Sequence, residues 1–155
     1  SRTEATAAAL AEKLTTEGFR ASARTDLKNA VERADLISCA TTSREPLIHG
    51  AWLREGAHVD LVGGFRRDMR EADDEAVRGS KVWIDTEAAL HETGDLIKPL
   101  ETGALKRESI CGTLYDLTGK GFDAGRAATD ITLFKCVGHA LEDLAAARLV
   151  LSNSK

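Results

Sequence analysis

ADLISCATTSREP at residues 34–46 and GAHVDLVGGF at residues 56–65 decide how this chain folds. Each stretch carries a short apolar run, Leu36-Ile37-Ser38-Cys39-Ala40 in one and His58-Val59-Asp60-Leu61-Val62 in the other. Both runs are too short for a helix, and both are closed by turn-forming residues, Thr41-Thr42-Ser43 and Gly63-Gly64. Such runs are the mark of strands in a parallel sheet whose faces are covered by helices. Upstream, Asp26 is placed to N-cap a helix over Leu27 to Ala34. Further back, Ala7, Leu10 and Leu14 have helical spacing that Gly18 ends, and Phe19 to Ala23 alternates as a short strand would. Downstream, Val82-Trp83-Ile84 forms a third strand closed by Asp85-Thr86. Strand alternating with helix is the rhythm of an α/β unit.

After Leu96 the pattern loosens. Gly103, Gly112, Gly119, Gly121 and Gly125 punctuate a stretch expected to be largely irregular, with short helical turns. A closing helix is expected from the spacing of Phe134, Val137, Leu141 and Leu144, extended by Ala145 and Leu149. The pattern divides the chain into residues 1–96, with alternating strands and helices, and residues 97–155, a looser segment with a C-terminal helix.

One element of a doubly wound sheet is missing. Such a sheet starts with a strand, a glycine-rich turn and a helix that holds a pyrophosphate. No GxGxxG occurs in these 155 residues. The fold class expected is therefore α/β, an incomplete Rossmann-like parallel sheet lacking its first strand and glycine-rich turn. The absent strands would be central ones, so a further piece of polypeptide is expected outside this chain.

Composition narrows the function. The chain is 43% hydrophobic and 30% charged, with a net charge of −4 and no apolar run of membrane-spanning length. That balance disfavours nucleic-acid binding, which needs a concentrated basic surface. Arg66, Arg67 and Arg70 are offset by Asp68, Glu71, Asp73 and Asp74 and read as a solvated, salt-bridged turn. Cys39, Cys111 and Cys136 lack zinc spacing and read as reduced thiols, and His49, His58 and His91 have no ligand spacing, so no metal is expected. With no signal-peptide pattern at residues 1–4, the expected compartment is the cytoplasm.

Four segments together resemble the ornithine cyclodeaminase/mu-crystallin family: Ala34 to Pro46; Gly56 to Gly64; Gly94-Asp95-Leu96; and Gly125-Arg126 with Asp130 to Gly138. The resemblance implies a homodimer in which a Rossmann-like domain binds a nicotinamide cofactor. A second domain supplies substrate contacts and the dimer interface. The resemblance makes residues 1–96 the second part of a dinucleotide-binding domain and residues 97–155 a return segment toward the substrate and dimerisation domain. It places Ser1-Arg2-Thr3 where the adenosine ribose is read, and an arginine with hydroxyls there suits a 2′-phosphate, so NADPH is favoured and NADH is possible. Thr41 and Thr42 would contact the nicotinamide ribose, or else cap the next turn. Val62, Gly63 and Gly64 would let the backbone pass close to the nicotinamide.

Position 65 is an aspartate in the family's cyclodeaminases, working in acid/base chemistry, and here it is Phe65. A phenyl ring exchanges no proton. Met69 likewise stands where a lysine is expected. Residues 60–74 instead resemble the family's cyclic-imine reductases, which reduce Δ1-pyrroline-2-carboxylate or its piperideine homologue to proline or pipecolate. Arg70-Glu71 with Asp73-Asp74 also reads as a capped helix start. Cys136-Val137-Gly138 resembles the family's Ser-Val-Gly, with Cys136 toward cofactor and Val137 and Gly138 toward substrate. Cys136 with His139 is also open to reading as a thiol–base pair, although a small buried thiol is the commoner outcome. Lys135 is a candidate for a place near the site, although a lysine at a helix entry is usually solvated. The expected activity is NADPH-dependent reduction of a cyclic imino acid. Its alternatives are ornithine cyclodeaminase, amino-acid dehydrogenase, and a non-enzymatic binding protein of the mu-crystallin kind.

Overall fold

The computed structural model describes residues 3–121 and 123–154, which fall into two compact units, Ser1–Arg33 and Ala34–Lys155. In the first unit, α1 (Glu4–Thr16) is N-capped by the Thr3 hydroxyl, which accepts the Thr6 N–H at 3.3 Å. Residues 19–24 form no strand, contrary to the alternation at Phe19 to Ala23. A run that brief has no strand identity without a partner to pair with. The expected Asp26 cap is present: its carboxylate accepts the Asn29 N–H at 3.0 Å at the start of α2 (Leu27–Glu32).

The second unit is built on a five-stranded sheet. Its strands are β1 (Leu36–Cys39), β2 (His58–Leu61), β3 (Lys81–Ile84), β4 (Ile110–Thr113) and β5 (Thr132–Lys135). They are ordered β1-β2-β5-β3-β4, and every pairing is parallel. The helices of this unit are α3 (Asp74–Arg78), α4 (Ala89–Glu92), α5 (Gly94–Thr102), α6 (Leu114–Leu117) and α7 (Ala140–Asn153). The α/β reading holds, but two strands lie in the stretch expected to be irregular, and the later of them, β5, is the middle of the sheet. The expected division after Leu96 thus leaves β4 and β5 in the same sheet as β1 to β3.

Phe134 belongs to β5 and not to the closing helix. Gly138, at φ +90°, interrupts the chain there, and the helix starts only at Ala140. An L side chain seldom adopts that φ, so glycine makes the break possible. Helix α7 buries none of its residues, and Leu141, Leu144, Leu149, Val150 and Leu151 are all more than half exposed.

Register explains the core. The rows Ile37–Val59–Leu133–Val82 and Cys39–Leu61–Lys135–Ile84 each cross four adjacent strands on one face. All eight residues are buried, together with Ile48, Ala76, Val77, Leu90 and Leu96. Seven of the eight are apolar side chains or a thiol; the exception is Lys135.

Candidate functional site

Parallel strands put all their carboxyl ends at one edge, where α/β proteins bind ligands. Cys39, Leu61, Lys135 and Ile84 are in register as last strand residues. Thr41-Thr42, Val62-Gly63-Gly64-Phe65 and Cys136-Val137-Gly138 therefore leave the sheet side by side, with Asp85 next to them. The sequence expectations of these segments meet at that edge. Ser1 and Arg2 lie outside the described residues.

A buried carboxylate holds two of these turns. Glu71 is fully buried and accepts the N–H of Thr41 at 2.6 Å through Oε1, and those of Gly63 and Gly64 at 2.8 and 3.2 Å through Oε2. Both oxygens act only as acceptors, the pattern of an ionised carboxylate. Glu71 is thus no part of a solvated turn. The surrounding arginines do pair outward: Arg66 and Arg44 contact Asp68, and Arg70 contacts Asp74. Asp73 caps α3, accepting the Ala76 N–H at 2.8 Å, so the capped-helix reading holds for Asp73 and fails for Glu71.

The two glycines answer first to the protein itself. A Cβ on Gly63 would stand 2.0 Å from the Thr41 carbonyl oxygen and 2.1 Å from its nitrogen, and one on Gly64 would stand 2.4 Å from Asp95 Oδ2. No side chain fits there, so the two turns pack backbone against backbone. The Thr41 hydroxyl accepts the Ser43 N–H at 3.2 Å, so it caps its own turn. Thr42, Val62 and Phe65 are exposed on the same edge, Phe65 by 52%.

Beneath Gly64 lies a buried pair of opposite charges. Asp95 Oδ1 accepts the N–H of Glu71 at 2.6 Å and of Ala72 at 3.1 Å, while Oδ2 lies 3.1 Å from Lys135 Nζ. Neither residue of the pair is exposed, so the expected solvated lysine is instead a core residue. The Lys135–Asp95 contact is ionic without hydrogen-bond alignment, and the ammonium makes no hydrogen bond.

Asp85, also fully buried, secures the third turn. Its Oδ2 accepts the N–H groups of Val137 and Gly138, each at 2.7 Å, and its Oδ1 accepts that of Thr86 at 2.7 Å. The N–H groups of Val137 and Gly138 are therefore committed to the protein. Asp85, Cys136 and Glu142 each bring an atom within 4.8 Å of the others, but the Asp85 oxygens are already engaged by these N–H groups. Burial pushes the Cys136 thiol up to about 11, with the Asp85 charge adding to the shift. His139 turns its Nδ1 to the Leu141 N–H at 3.2 Å and caps α7. The raised thiol, with His139 Nδ1 engaged in the α7 cap, favours the small buried thiol over the thiol–base pair. Cys39 is pushed further, to about 12, chiefly by burial and then by Glu71 and Asp95.

Glu71, Asp85 and Asp95 are the residues that sequence reasoning missed as builders of the site, and Lys135, a candidate for a place near it, is buried rather than solvated. One signal was available: Asp95 and Lys135 both stand within the segments quoted for the family resemblance.

The model of the ornithine cyclodeaminase/mu-crystallin family matches residues 1–155. A Δ1-pyrroline-2-carboxylate reductase of Paracoccus denitrificans is 45% identical over 120 residues, covering 77% of this chain and 38% of that protein. The ketimine reductase mu-crystallin of Mus musculus is 38% identical over 125 residues, covering 80% of this chain and 37% of that protein. Among solved structures, the Thermococcus litoralis Δ1-pyrroline-2-carboxylate reductase, in complex with NADH and L-proline, superposes with a TM-score of 0.90 at 35% identity. That match covers 96% of this chain and 46% of the reductase. The chain thus spans less than half the length of these relatives. On the family model and these identities together, the chain belongs to the ornithine cyclodeaminase/mu-crystallin family.

Proposed function

We propose that the protein carrying this chain reduces a cyclic imino acid, Δ1-pyrroline-2-carboxylate or Δ1-piperideine-2-carboxylate, with a nicotinamide cofactor as hydride donor. The observation that carries this reading is Phe65, an exposed phenyl ring on the turn that Glu71 holds rigid. Where a cyclodeaminase needs a proton-transferring carboxylate, this ring offers an apolar wall, which excludes water and suits hydride transfer over hydrolysis. The Δ1-pyrroline-2-carboxylate reductases and the ketimine reductase among the relatives support this reading, one of them solved in complex with NADH and L-proline. A probable ornithine cyclodeaminase of Bordetella pertussis, 32% identical, keeps the cyclodeaminase as the rival.

The site residues keep the roles the resemblance gave them. Thr41, Thr42, Val62, Gly63, Gly64, Phe65 and Cys136 line the cofactor, and Val137 and Gly138 lie toward the substrate. A pre-formed backbone floor with exposed Val62 and Phe65 beside it fits a flat, partly apolar ring. When bound, the cofactor supplies the hydride; the chain orients it and keeps water away. Ser1-Arg2-Thr3 favours NADPH, with NADH accepted. The segment ending in α7 leads toward a substrate and dimerisation domain, and its exposed leucines suit a homodimer of cytoplasmic location. Neither nucleic acid nor membrane is a partner on this reading, and among the described residues no helix is long and apolar enough to cross a membrane.

The test is oxidation of NADPH and of NADH by the full-length protein with Δ1-pyrroline-2-carboxylate, with ornithine and NAD as control. Oxidation with the imine, and no ammonia from ornithine, is the expected result. Ammonia release from ornithine would overturn the weight placed on Phe65. Tight cofactor binding without turnover would move the protein to the binding-protein branch.

A further inference from the structure

Lys135 sits in a row whose other members are Cys39, Leu61 and Ile84, at the carboxyl end of the central strand, with no exposure to solvent. An apolar side chain of similar length would pack there without desolvating a charge. A buried ion pair stabilises a fold no better, as a rule, than apolar residues of the same volume. The pair therefore calls for an explanation other than stability, and its connections supply one. Asp95 Oδ2 and Lys135 Nζ are the side-chain atoms that a Cβ on Gly64 would meet, at 2.4 and 3.5 Å. The other Asp95 oxygen grips the Glu71 and Ala72 N–H groups, and the Glu71 carboxylate grips Thr41, Gly63 and Gly64.

We propose that Lys135 is a positioning residue for the nicotinamide end of the cofactor, acting through Asp95 and Glu71 on the turns that follow β1 and β2. The inference rests on the reading that those turns carry the cofactor. The ammonium fixes which way the Asp95 carboxylate faces. Asp95 fixes the backbone at Glu71, and Glu71 fixes the two turns relative to each other. Strand β5 thereby sets the height of a floor to which it contributes no backbone.

The test uses the full-length protein with Lys135→Met, Asp95→Asn and the double variant, and NADH as the probe. Lys135→Met is expected to raise the NADH Kd by about 10-fold, equivalent to about 1.4 kcal/mol of binding. In the double variant no charge is left unpaired, so the thermal midpoint recovers most of what either single change removes. The NADH Kd and KM stay raised, with kcat at saturating NADH changed far less. Recovery of midpoint and Kd together in the double variant would show the pair to be merely structural and overturn the proposal.

Should these variants not fold, Thr93→Val removes the hydroxyl that caps α5 at the Asp95 N–H and contacts Asp95 Oδ2. It is expected to raise the NADH Kd by roughly 3-fold, in line with the loss of one modest hydrogen bond, and an unchanged Kd overturns the idea. Hydrogen exchange separates this network from the functional reading. If the unaltered protein binds neither NADPH nor NADH, the functional reading falls. Faster exchange at Thr41, Gly63 and Gly64 in a folded variant then still supports the network, and unchanged exchange there overturns it.

Discussion

Replacing Glu71 by glutamine tests how the site is held together. The carboxylate accepts three backbone N–H bonds, from Thr41 on one oxygen and from Gly63 and Gly64 on the other. A glutamine of the same shape keeps one accepting oxygen and turns an NH2 toward the remaining donor. The better compromise leaves the oxygen on Gly63 and Gly64 and faces the NH2 at Thr41. One charge-assisted bond is then lost to a donor–donor contact, and two are weakened to neutral bonds. With hydrogen bonds to charged groups contributing about 1.5–3 kcal/mol, the expected loss is about 2–3 kcal/mol. Glu71→Ala would leave all three donors without the carboxylate. Gly63 keeps a second acceptor in the Cys39 carbonyl at 3.3 Å, and Thr41 is only half-buried, so the loss stays near 3–5 kcal/mol, below three full desolvation penalties. Native-state hydrogen exchange on the full-length protein reads this locally: protection should fall by the stated amount at Thr41 in Glu71→Gln, with Gly63 and Gly64 losing less, and at all three in Glu71→Ala. Protection at Thr41 within about 0.5 kcal/mol of the unaltered protein for Glu71→Gln would refute the clamp. So would equal losses at Gly64 and at β4, which the clamp does not touch.

Further outcomes follow from the same geometry. Leu133, unexposed in the middle of the sheet, should cost about 2–5 kcal/mol when cut to alanine, measured by urea denaturation; a loss below about 1 kcal/mol would contradict the central place of β5. Cys39 is raised from 9.0 to about 12 by burial, so its thiol favours the folded state fully below pH 9 and progressively less as pH climbs toward 12. Stability should fall there with a slope of up to about 1.4 kcal/mol per pH unit, a slope that Cys39→Val removes. Peptide mapping after brief maleimide treatment at neutral pH should find exposed Cys111 labelled well ahead of Cys136 and Cys39, and equal labelling would contradict their burial. Phe65→Asp should lower kcat/KM for the cyclic imine by about 10-fold or more, while Phe65→Leu, which keeps the wall apolar, should be mild; the opposite order would sink the assignment of Phe65.

Strands β1, β2 and β3 were legible because each is a short apolar run with a turn at its end, and that information is local. Caps were legible for the same reason, as Asp26 and Asp73 show. The strand and the charges that finish the site were not. The apolar residues around β5, Phe134 and Val137, share the i, i+3, i+7 spacing of a helix with Leu141, and only Gly138 marks the break. Asp95 and Glu71 look like surface carboxylates in the chain because their partners lie far away, at Lys135 and Thr41. In a sequence, an acidic residue is read as solvated unless its partner is known, and the partner is known only once the strand order is.

The two failures are therefore one. Lys135 reads as a solvated helix-entry residue because the spacing of Phe134, Val137 and Leu141 predicts a helix that includes it. Once that segment is a strand, its place between β2 and β3 buries every second side chain from Leu133 onward on the helix-covered face. Lys135 then has to be buried, and a buried ammonium has to find an anion. The carboxylates near the ends of the neighbouring strands are Glu71, Asp85 and Asp95. The first two already serve three N–H groups each, which leaves Asp95 Oδ2 as the oxygen with a place for the ammonium. Finding the strand would have been enough to find the pair, and the pair leads through Glu71 to the glycine turn.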